Sequence, residues 1–222
     1  PSAMKKIRKE FFLIRHGESL ANIGLDSSYD PDLSPAGYIQ IAELAERIKD
    51  FCDSQTVILS SPFKRCLRTS QAIAKLLNVE ITLEPALHEY FAVEWYPLNH
   101  VVLPDLNQIA KENQFVAKKN HPSGQWWPSK NENAQDLSIR LGMLRNRLLS
   151  DRFPDGKIIC VGHWASIAGL VTLMCSGIYI QVVNNAGISK IDFNGLSCEP
   201  IFLNDTSHLK NNIVPSDFSQ TN

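Results

Sequence analysis

Apolar and polar positions divide the chain into short apolar runs and longer amphipathic stretches. The apolar runs predict four strands, at residues 11–14, 56–61, 79–87 and 157–163. The stretches with apolar residues at helical spacing predict four helices, at residues 33–51, 62–77, 137–148 and 165–177. Two further apolar segments, residues 187–195 and 199–204, predict a closing pair of strands.

The first two predicted helices have clear start signals and apolar faces. Ser34 is a good N-cap and Pro35 suits the first helical position. The residues expected to share the buried face of this helix are Tyr38, Ile41, Ala45 and Ile48. The second helix is expected to open at Pro62, and its predicted buried face holds Cys66, Ser70, Ile73 and Leu77.

Strands that alternate with helices are typical of α/β proteins. We therefore predict a three-layer α/β/α sandwich with a mostly parallel central sheet, in one domain that spans residues 5–205. Residues 88–130 are irregular and rich in Pro, Asn and aromatic residues, which predicts an insertion that covers one end of the sheet. Residues 206–222 are predicted to be a loosely held polar tail, and residues 1–3 to be a cloning scar ahead of Met4.

Composition excludes several classes of partner. The chain has 222 residues, of which 44% are hydrophobic and 20% charged, and its formal net charge is -1. We expect no nucleic-acid partner, because there is no basic excess, and no membrane partner, because no apolar run approaches ~20 residues. The five cysteines are widely spaced without a CxxC pair, which argues against a disulfide framework or a zinc site and favours a reducing, cytoplasmic location.

Charged and polar residues gather where the predicted strands end. Ligands of open α/β sheets bind beyond the carboxyl ends of the strands. The first, second and fourth strands each run into such residues, and the third leads to a glutamate. The groups expected to meet at this edge are Arg15, His16, Arg65, Glu89 and His163.

Two arginines, two histidines and a carboxylate suit the transfer of a phosphoryl group. The transferred group carries charge on its equatorial oxygens, so catalysis consists mainly of positioning and charge stabilisation. Arginine supplies paired donors and stays charged. A histidine with a free ring nitrogen can attack phosphorus, and a carboxylic acid with a raised pKa can protonate the leaving oxygen.

Four segments, in order, resemble the histidine phosphatase superfamily, in the branch that includes cofactor-dependent phosphoglycerate mutases. "LIRHGESLAN" is similar to the family's RHG signature, and "SSPFKRCLRTSQAI" to its phosphate-arginine segment. "EPALHEYFAVEW" resembles the general-acid segment, and "VGHWASI" the second-histidine segment. The resemblance extends over residues 11–170 and implies a phosphoglycerate mutase-like fold.

The resemblance implies a role for each matching residue. His16 would be the nucleophile that becomes phosphorylated, and Glu89 the proton donor, with Glu84 and Glu94 as neighbouring alternatives. The residues that would bind the phosphoryl oxygens are Arg15, Arg65 and His163, with Asn22 as a further donor. Glu18 and Ser19 belong to the signature, and Glu18 is expected to support the site, since a carboxylate facing phosphate would repel it.

Two tryptophans extend the predicted substrate site. Trp95 stands where the family often has an aromatic residue after the acid. Trp164 stands where the family usually has glycine, and we expect its ring to narrow the pocket or to stack on substrate.

The function that these residues favour is hydrolysis of a small phosphate monoester through a phosphohistidine, with no metal and no cofactor. A phosphoglycerate mutase-type phosphotransferase is one alternative. Family mutases carry arginines in the insertion, whereas residues 88–130 here contain four lysines and no arginine, which favours the phosphatase. A non-catalytic phosphate-binding or scaffold protein on the same fold is the other alternative. A homodimer is compatible with the resemblance.

Two roles are open for the aromatic residues of the insertion. They either pack as a lid or form an apolar wall for the substrate; they are Tyr90, Phe91, Trp95, Tyr96, Trp126 and Trp127. His88 and His121 are expected to lie at the surface. Arg140 is expected to be structural.

Overall fold

A computed structural model describes residues 6–98 and 101–210 of the chain. The predicted cloning scar and most of the predicted tail lie outside these residues. The helices are α1 (Pro35–Ile48), α2 (Lys64–Leu77), α3 (Leu106–Glu112), α4 (Ala134–Leu149) and α5 (Trp164–Met174). The strands are β1 (Lys9–Arg15), β2 (Val57–Ser60), β3 (Ile81–Leu83), β4 (Gly156–Gly162), β5 (Ile188–Phe193) and β6 (Cys198–Asp205).

The six strands form one sheet in the order β3-β2-β4-β1-β5-β6. The first four are parallel to one another, whereas β5 pairs antiparallel with both β1 and β6. The predicted mostly parallel sheet and its closing strand pair are therefore confirmed. Because β1 and β4 are adjacent and parallel, the residues that follow them emerge side by side at one edge of the sheet.

Side chains of β1 alternate between two apolar layers, one on each face of the sheet. Phe12 and Ile14 pack in a cluster with residues of α1 and α2. Phe11 and Leu13 pack in a second cluster with residues of α4 and α5. All four side chains are inaccessible to solvent. This arrangement is the predicted three-layer sandwich, and the residues that follow β1 therefore extend from a strand that is covered on both faces.

Helix α1 begins as predicted, with Ser34 as the N-cap and Pro35 in the first turn; the Ser34 hydroxyl accepts a hydrogen bond from the Gly37 N–H at 3.0 Å. Its buried face differs in one place from the expected face. Tyr38 is 44% exposed, and its hydroxyl donates to Asp32. The face centres on Ile41 and Leu44 instead, so Tyr38 falls at the rim, where a phenol can keep its polar end in water.

The region predicted to be an irregular insertion contains a short helix. Helix α3 begins at the N-cap Asp105, whose side chain accepts from the Gln108 N–H at 2.8 Å. Ile109 and Ala110 join the core cluster of α1 and α2. Val116 forms a bridge with Ile81 at the β3 edge of the sheet. Part of the insertion is therefore packed into the body of the protein.

Within the part of the chain that the structure describes, no helix has both the length and the apolar character needed to cross a bilayer.

Candidate active site

His16 follows β1 directly and is 2% exposed. Its backbone is held on two sides: its N–H donates to the Gly162 carbonyl at 3.0 Å, and its carbonyl accepts from Asn185 Nδ2 at 3.2 Å. Its Nδ1 lies 2.6 Å from the Gly17 carbonyl. Since a carbonyl only accepts, this contact assigns the proton to Nδ1 and leaves the lone pair on Nε2.

Burial lowers the pKa of His16 well below its ordinary value, and the nearby charges of Arg65 and Arg15 lower it further. The imidazole is therefore neutral at neutral pH. A neutral ring with a directed lone pair on Nε2 is the form that can act as a nucleophile.

Arg65 lies in the first turn of α2, and its guanidinium contacts His16. Its Nε lies 3.3 Å from His16 Nε2, and its Nη2 lies 3.3 Å from the Tyr96 hydroxyl. The guanidinium also stacks on Phe63, with Cζ 4.9 Å from the ring centroid. The Nη1 atom is buried and has no hydrogen-bond partner among the described residues. Arg65 is thus oriented by its neighbours, and its Nη1 is available to donate a hydrogen bond to a ligand beside His16.

Arg15, the last residue of β1, is fully buried. Its Nη1 donates to the Val183 carbonyl at 2.7 Å, and its Cζ lies 5.4 Å from the centroid of the Trp164 ring. Burial lowers the pKa of Arg15 to about 10, while the Glu89 carboxylate opposes that shift. The guanidinium is still protonated at neutral pH and supplies a second positive charge.

His163 follows β4, as His16 follows β1, and the two ring centroids lie 5.3 Å apart. His163 Nε2 lies 2.8 Å from the Ser61 hydroxyl, which itself accepts from the Phe63 N–H. A serine hydroxyl can donate one hydrogen bond and accept two, so this contact holds the ring beside Ser61 without assigning its proton to either nitrogen. The Nδ1 atom, on the other side of the ring, is buried.

Like His16, His163 lies in surroundings that favour the neutral ring. Burial lowers the pKa of His163 well below its ordinary value, and the charge of Arg65 adds to the effect. A neutral imidazole carries one N–H donor, but it does not add a third positive charge to the site.

Glu89 is 1% exposed and lies at the start of α5. Its Oε1 accepts from the Tyr90 N–H at 2.8 Å and from the Ala165 N–H at 3.3 Å. Burial raises the pKa of Glu89, although these hydrogen bonds and the two site arginines oppose the rise. The carboxyl group therefore holds its proton to a higher pH than an exposed glutamate, as a general acid requires.

The two alternative acids lie elsewhere. Glu84 caps the short 3-10 helix at Pro85–Leu87 and forms an ion pair with Arg147. Glu94 is exposed. Of the three glutamates, Glu89 is the one that lies within electrostatic reach of Arg15 and Arg65.

The segment that carries Glu89 is held from α4. Arg140 forms an ion pair with Glu132 at 2.8 Å and donates to the carbonyls of Ala86 and His88 at 2.8 and 3.0 Å. Arg140 is structural, as expected.

The surface position predicted for His88 is wrong: its side chain is 4% exposed, and Nδ1 lies 2.6 Å from the Glu89 carbonyl. His121, in contrast, is only half-buried.

The signature loop is fixed by its polar residues. Glu18 accepts from the Ser34 hydroxyl at 2.7 Å, so its carboxylate joins the loop to the start of α1. The side-chain oxygen of Asn22 accepts from the Ser19 N–H at 2.9 Å and from Asn185 Nδ2 at 3.2 Å. The structure thus ties Asn22 to the loop beside His16, and its part in binding phosphate stays a prediction.

The two predicted tryptophans occupy different environments. Trp164 is 3% exposed and packs in the α4–α5 cluster, with the Arg15 guanidinium on its ring. Its place in the structure is that of a support for Arg15, and direct contact with substrate stays a prediction. Trp95 is half-buried at the edge of an aromatic cluster with Phe63, Phe91 and Tyr96.

The contribution of the loop before β5 was missed from the sequence. Asn185 bridges the His16 carbonyl and Asn22, the Val183 carbonyl binds Arg15, and the Ala186 N–H lies 3.0 and 3.1 Å from the carbonyls of Arg15 and His16. The one signal in the sequence is the run Asn184–Asn185–Ala186–Gly187, a turn composition. Ala186 has a φ of 57°, which marks that turn in the structure.

Among the described residues, no group of three or more His, Cys, Asp or Glu side chains is placed to hold a metal ion. The cationic groups at this edge are instead Arg15 and Arg65.

The structure is similar to solved phosphatase structures over almost the whole chain. A phosphoserine phosphatase of Entamoeba histolytica, solved with 3-phosphoglyceric acid, is 25% identical and superimposes with a TM-score of 0.64, covering 90% of this chain and 99% of that chain. A mycobacterial glucosyl-3-phosphoglycerate phosphatase, solved with VO3, gives a TM-score of 0.65 at 20% identity, covering 90% of this chain and all of the other.

The sequence has a similar relative in Bacillus subtilis, the uncharacterized phosphatase PhoE. The two are 28% identical over 190 residues, which is 82% of this chain and 86% of the relative. The model of one family, the histidine phosphatase superfamily (branch 1), matches residues 11–206. The match includes both histidines, both arginines and the buried glutamate of the site, and the chain belongs to the histidine phosphatase superfamily.

Proposed function

We propose that this enzyme of the histidine phosphatase superfamily hydrolyses phosphate monoesters through a phosphohistidine on His16. The observation that carries the proposal is the contact between His16 Nε2 and Arg65 Nε at 3.3 Å, with Nδ1 held by the Gly17 carbonyl. A phosphoryl group bound by Arg65 would meet the lone pair of the neutral ring directly.

In the first step, His16 Nε2 attacks phosphorus and the ester P–O bond breaks. Arg15 and Arg65 stabilise the charge on the equatorial oxygens, and the neutral ring of His163 supplies one further hydrogen bond. The proton of the Glu89 carboxyl group passes to the departing alkoxide oxygen, which leaves as an alcohol. His16 is then a phosphohistidine, and Glu89 is a carboxylate.

In the second step, Glu89 acts as a base. It takes a proton from a water molecule, whose oxygen attacks phosphorus while the P–N bond breaks. Inorganic phosphate leaves, His16 regains its lone pair and Glu89 regains its proton, so the cycle closes without a redox change. The two arginines supply the positive charge that metal ions supply in kinases.

The insertion favours hydrolysis over mutase chemistry. A mutase must hold the carboxylate of a phosphoacid and return the phosphoryl group to it, which asks for cations over the pocket. The four lysines of the insertion are exposed: Lys111, Lys118, Lys119 and Lys130. Exposed lysines that point into water are poor clamps for a carboxylate.

The test uses turnover and trapping of the intermediate with p-nitrophenyl phosphate. His16→Ala is expected to abolish turnover and the acid-labile phosphoprotein, because it removes the attacking nitrogen. His121→Ala is the matched control: it removes an imidazole outside the site and is expected to keep both signals. Circular dichroism checks that both variants are folded.

Two results would change the assignment. Turnover by His16→Ala at the wild-type rate would remove the nucleophile role. Transfer between 3-phosphoglycerate and its bisphosphate, faster than release of phosphate, would make the enzyme a mutase.

A further inference from the structure

A cleft of about 420 Å³ lies between the loop after His16 and the segment after Glu89. Its lining includes the aromatic side chains of Tyr29, Trp95 and Tyr96 and the polar residues Asp26, Ser27 and Ser28. The rings of Tyr29 and Tyr96 lie 6.2 Å apart, and the Tyr29 hydroxyl binds the Pro97 carbonyl. Two chain segments far apart in sequence therefore form one lined cleft.

Two short chains of contacts connect the cleft to the nucleophile. The hydroxyl of Tyr96 lies 3.3 Å from Arg65 Nη2, and Arg65 Nε lies 3.3 Å from His16 Nε2. On the other side, Ala21 lines the cleft, and the adjacent Asn22 shares Asn185 with the His16 carbonyl. A phosphoryl group on Arg65 would consequently have its ester substituent next to this cleft.

The charge of the cleft opposes an acidic substituent. None of the described residues that line it is a lysine, arginine or histidine. Its one carboxylate, Asp26, accepts from the Ser28 N–H at 2.8 Å. Lys64 is close enough to Asp26 to act on its charge but does not line the cleft. A substrate carboxylate placed here would face a like charge without a cation to bind it.

We infer that this cleft binds the leaving group, and that it selects a neutral ring bearing hydroxyl groups, of the sugar or nucleoside type, over a small acid. The inference rests on the proposed function for the position of the phosphoryl group. Aromatic faces stack on such rings, while Asp26 and the two serines supply acceptors and donors for hydroxyl groups. The named structural neighbour that was solved with 3-phosphoglyceric acid holds an acidic ligand, which this cleft would disfavour.

The first experiment measures binding without turnover. Calorimetry on His16→Ala compares glucose 6-phosphate and adenosine monophosphate with 3-phosphoglycerate and phosphoserine, and inorganic phosphate reports on the phosphate site alone. At least one ring substrate is expected to bind roughly tenfold more tightly than either acid. The ratio between the two ring substrates distinguishes a sugar site from a nucleoside site.

The second experiment adds variants of the cleft to the same background. Trp95→Ala is expected to weaken the ring substrate about tenfold and to leave inorganic phosphate unchanged. Asp26→Lys is expected to tighten 3-phosphoglycerate relative to the ring substrate. Trp127→Ala is the matched control, because Trp127 packs on Trp126 at 5.6 Å and does not line the cleft.

Tighter binding of either acid than of both ring substrates would overturn the inference, as would equal losses of ring substrate in Trp95→Ala and Trp127→Ala. Neither result would touch the proposed function, which is judged by turnover of p-nitrophenyl phosphate. Absence of that turnover would overturn the proposed function, and the binding ratios would still decide the inference about the cleft.

Discussion

His16, His163 and Glu89 are ionisable groups that lie almost completely out of water beside two arginines. Burial disfavours the charged form of each group, so it lowers the pKa of the histidines and raises that of the glutamate. The same physical cause therefore favours the neutral form of both imidazoles and shifts Glu89 toward its protonated form, which are the forms that the proposed mechanism uses.

The directions of these shifts predict the pH dependence of kcat/KM for an alkyl phosphate such as glycerol 2-phosphate. Activity is expected to fall as the pH drops through the lowered pKa of His16, because the ring gains a proton, and to fall as the pH rises through the raised pKa of Glu89, because the acid loses its proton. Steady-state rates across the acid to mildly alkaline range measure both limbs.

Glu89→Gln is the matched test of the upper limb. It is expected to lower kcat/KM for glycerol 2-phosphate by about 10²–10⁴ and to remove the fall at high pH. It should affect p-nitrophenyl phosphate much less, because that leaving group departs without a proton. Equal losses on the two substrates would contradict the role of Glu89 as an acid.

At the same scale, the sequence predicted the site residues at the ends of parallel strands. It missed the site residue in the irregular loop before β5. Arg15, His16 and His163 could be placed together because parallel strands end at one edge. Asn185 could not, because its contact with His16 depends on β5 lying next to β1, which the sequence pattern does not specify. The position of Trp164 after His163 did not reveal that its ring packs under Arg15, and the expectation that it narrows the pocket or stacks on substrate stays a prediction.

At the scale of elements, α1 and the signature loop depend on two glycines that allow close approach. A Cβ on Gly37 would lie 2.0 Å from the Glu18 carbonyl oxygen, and one on Gly17 would lie 2.8 Å from the Ile41 side chain. The first contact is between a Cβ, which is fixed to the helix backbone, and a backbone oxygen, so no side-chain rotation can relieve it. The loop that holds His16 therefore rests directly on the helix backbone.

This contact predicts different outcomes for two glycine-to-alanine substitutions. Gly37→Ala is expected to lower the free energy of unfolding by about 1–3 kcal/mol or more, because α1 or the loop must move. Gly142→Ala lies in α4, where a Cβ meets nothing within 4 Å, and it is expected to be neutral or to stabilise by about 0.5–1 kcal/mol. Urea unfolding measures both.

Activity per folded molecule distinguishes displacement of the loop that carries His16 from a general loss of stability. Gly37→Ala should lower it, since the displaced loop carries His16, whereas Gly142→Ala should not. A Gly37→Ala enzyme as stable and as active as wild type would contradict this account of the contact.

Most elements were predictable from the sequence because their caps and periodicity agree with their packing. Ser34 and Pro35 mark the start of α1, and the four residues predicted for the buried face of α2 are all buried. The third predicted strand was too long, since β3 stops at Leu83 and the 3-10 helix follows from Pro85. Helix α3 was missed because it is short, and its stability comes from contacts with the core rather than from a long pattern.

For the molecule as a whole, the charge balance hides a cationic site. The formal net charge is -1, yet Arg15 and Arg65 are buried together with one carboxyl group whose pKa is raised. Overall charge therefore says little about the local field that an anion meets.

A ligand that binds this buried pair must stabilise the fold. Inorganic phosphate at about 100 times its Kd is expected to raise the free energy of unfolding by about 2.7 kcal/mol. Arg65→Met should abolish that gain, because it removes the guanidinium beside His16. Arg68→Met, three residues along α2, is the matched control and should keep the gain, since Arg68 binds Gln71 and Asn113 instead. Thermal or urea unfolding with and without phosphate, at constant ionic strength, measures the difference.

The loop before β5 has a consequence for biosynthesis. His16 is translated 169 residues before Asn185, which binds its carbonyl, and the other groups that fix this carbonyl and the guanidinium of Arg15 come from Val183 and Ala186. A nascent chain that still lacks them on the ribosome carries its nucleophile in an unfinished setting. The surroundings of His16 are thus completed only after the loop before β5 has been translated and has packed beside β1.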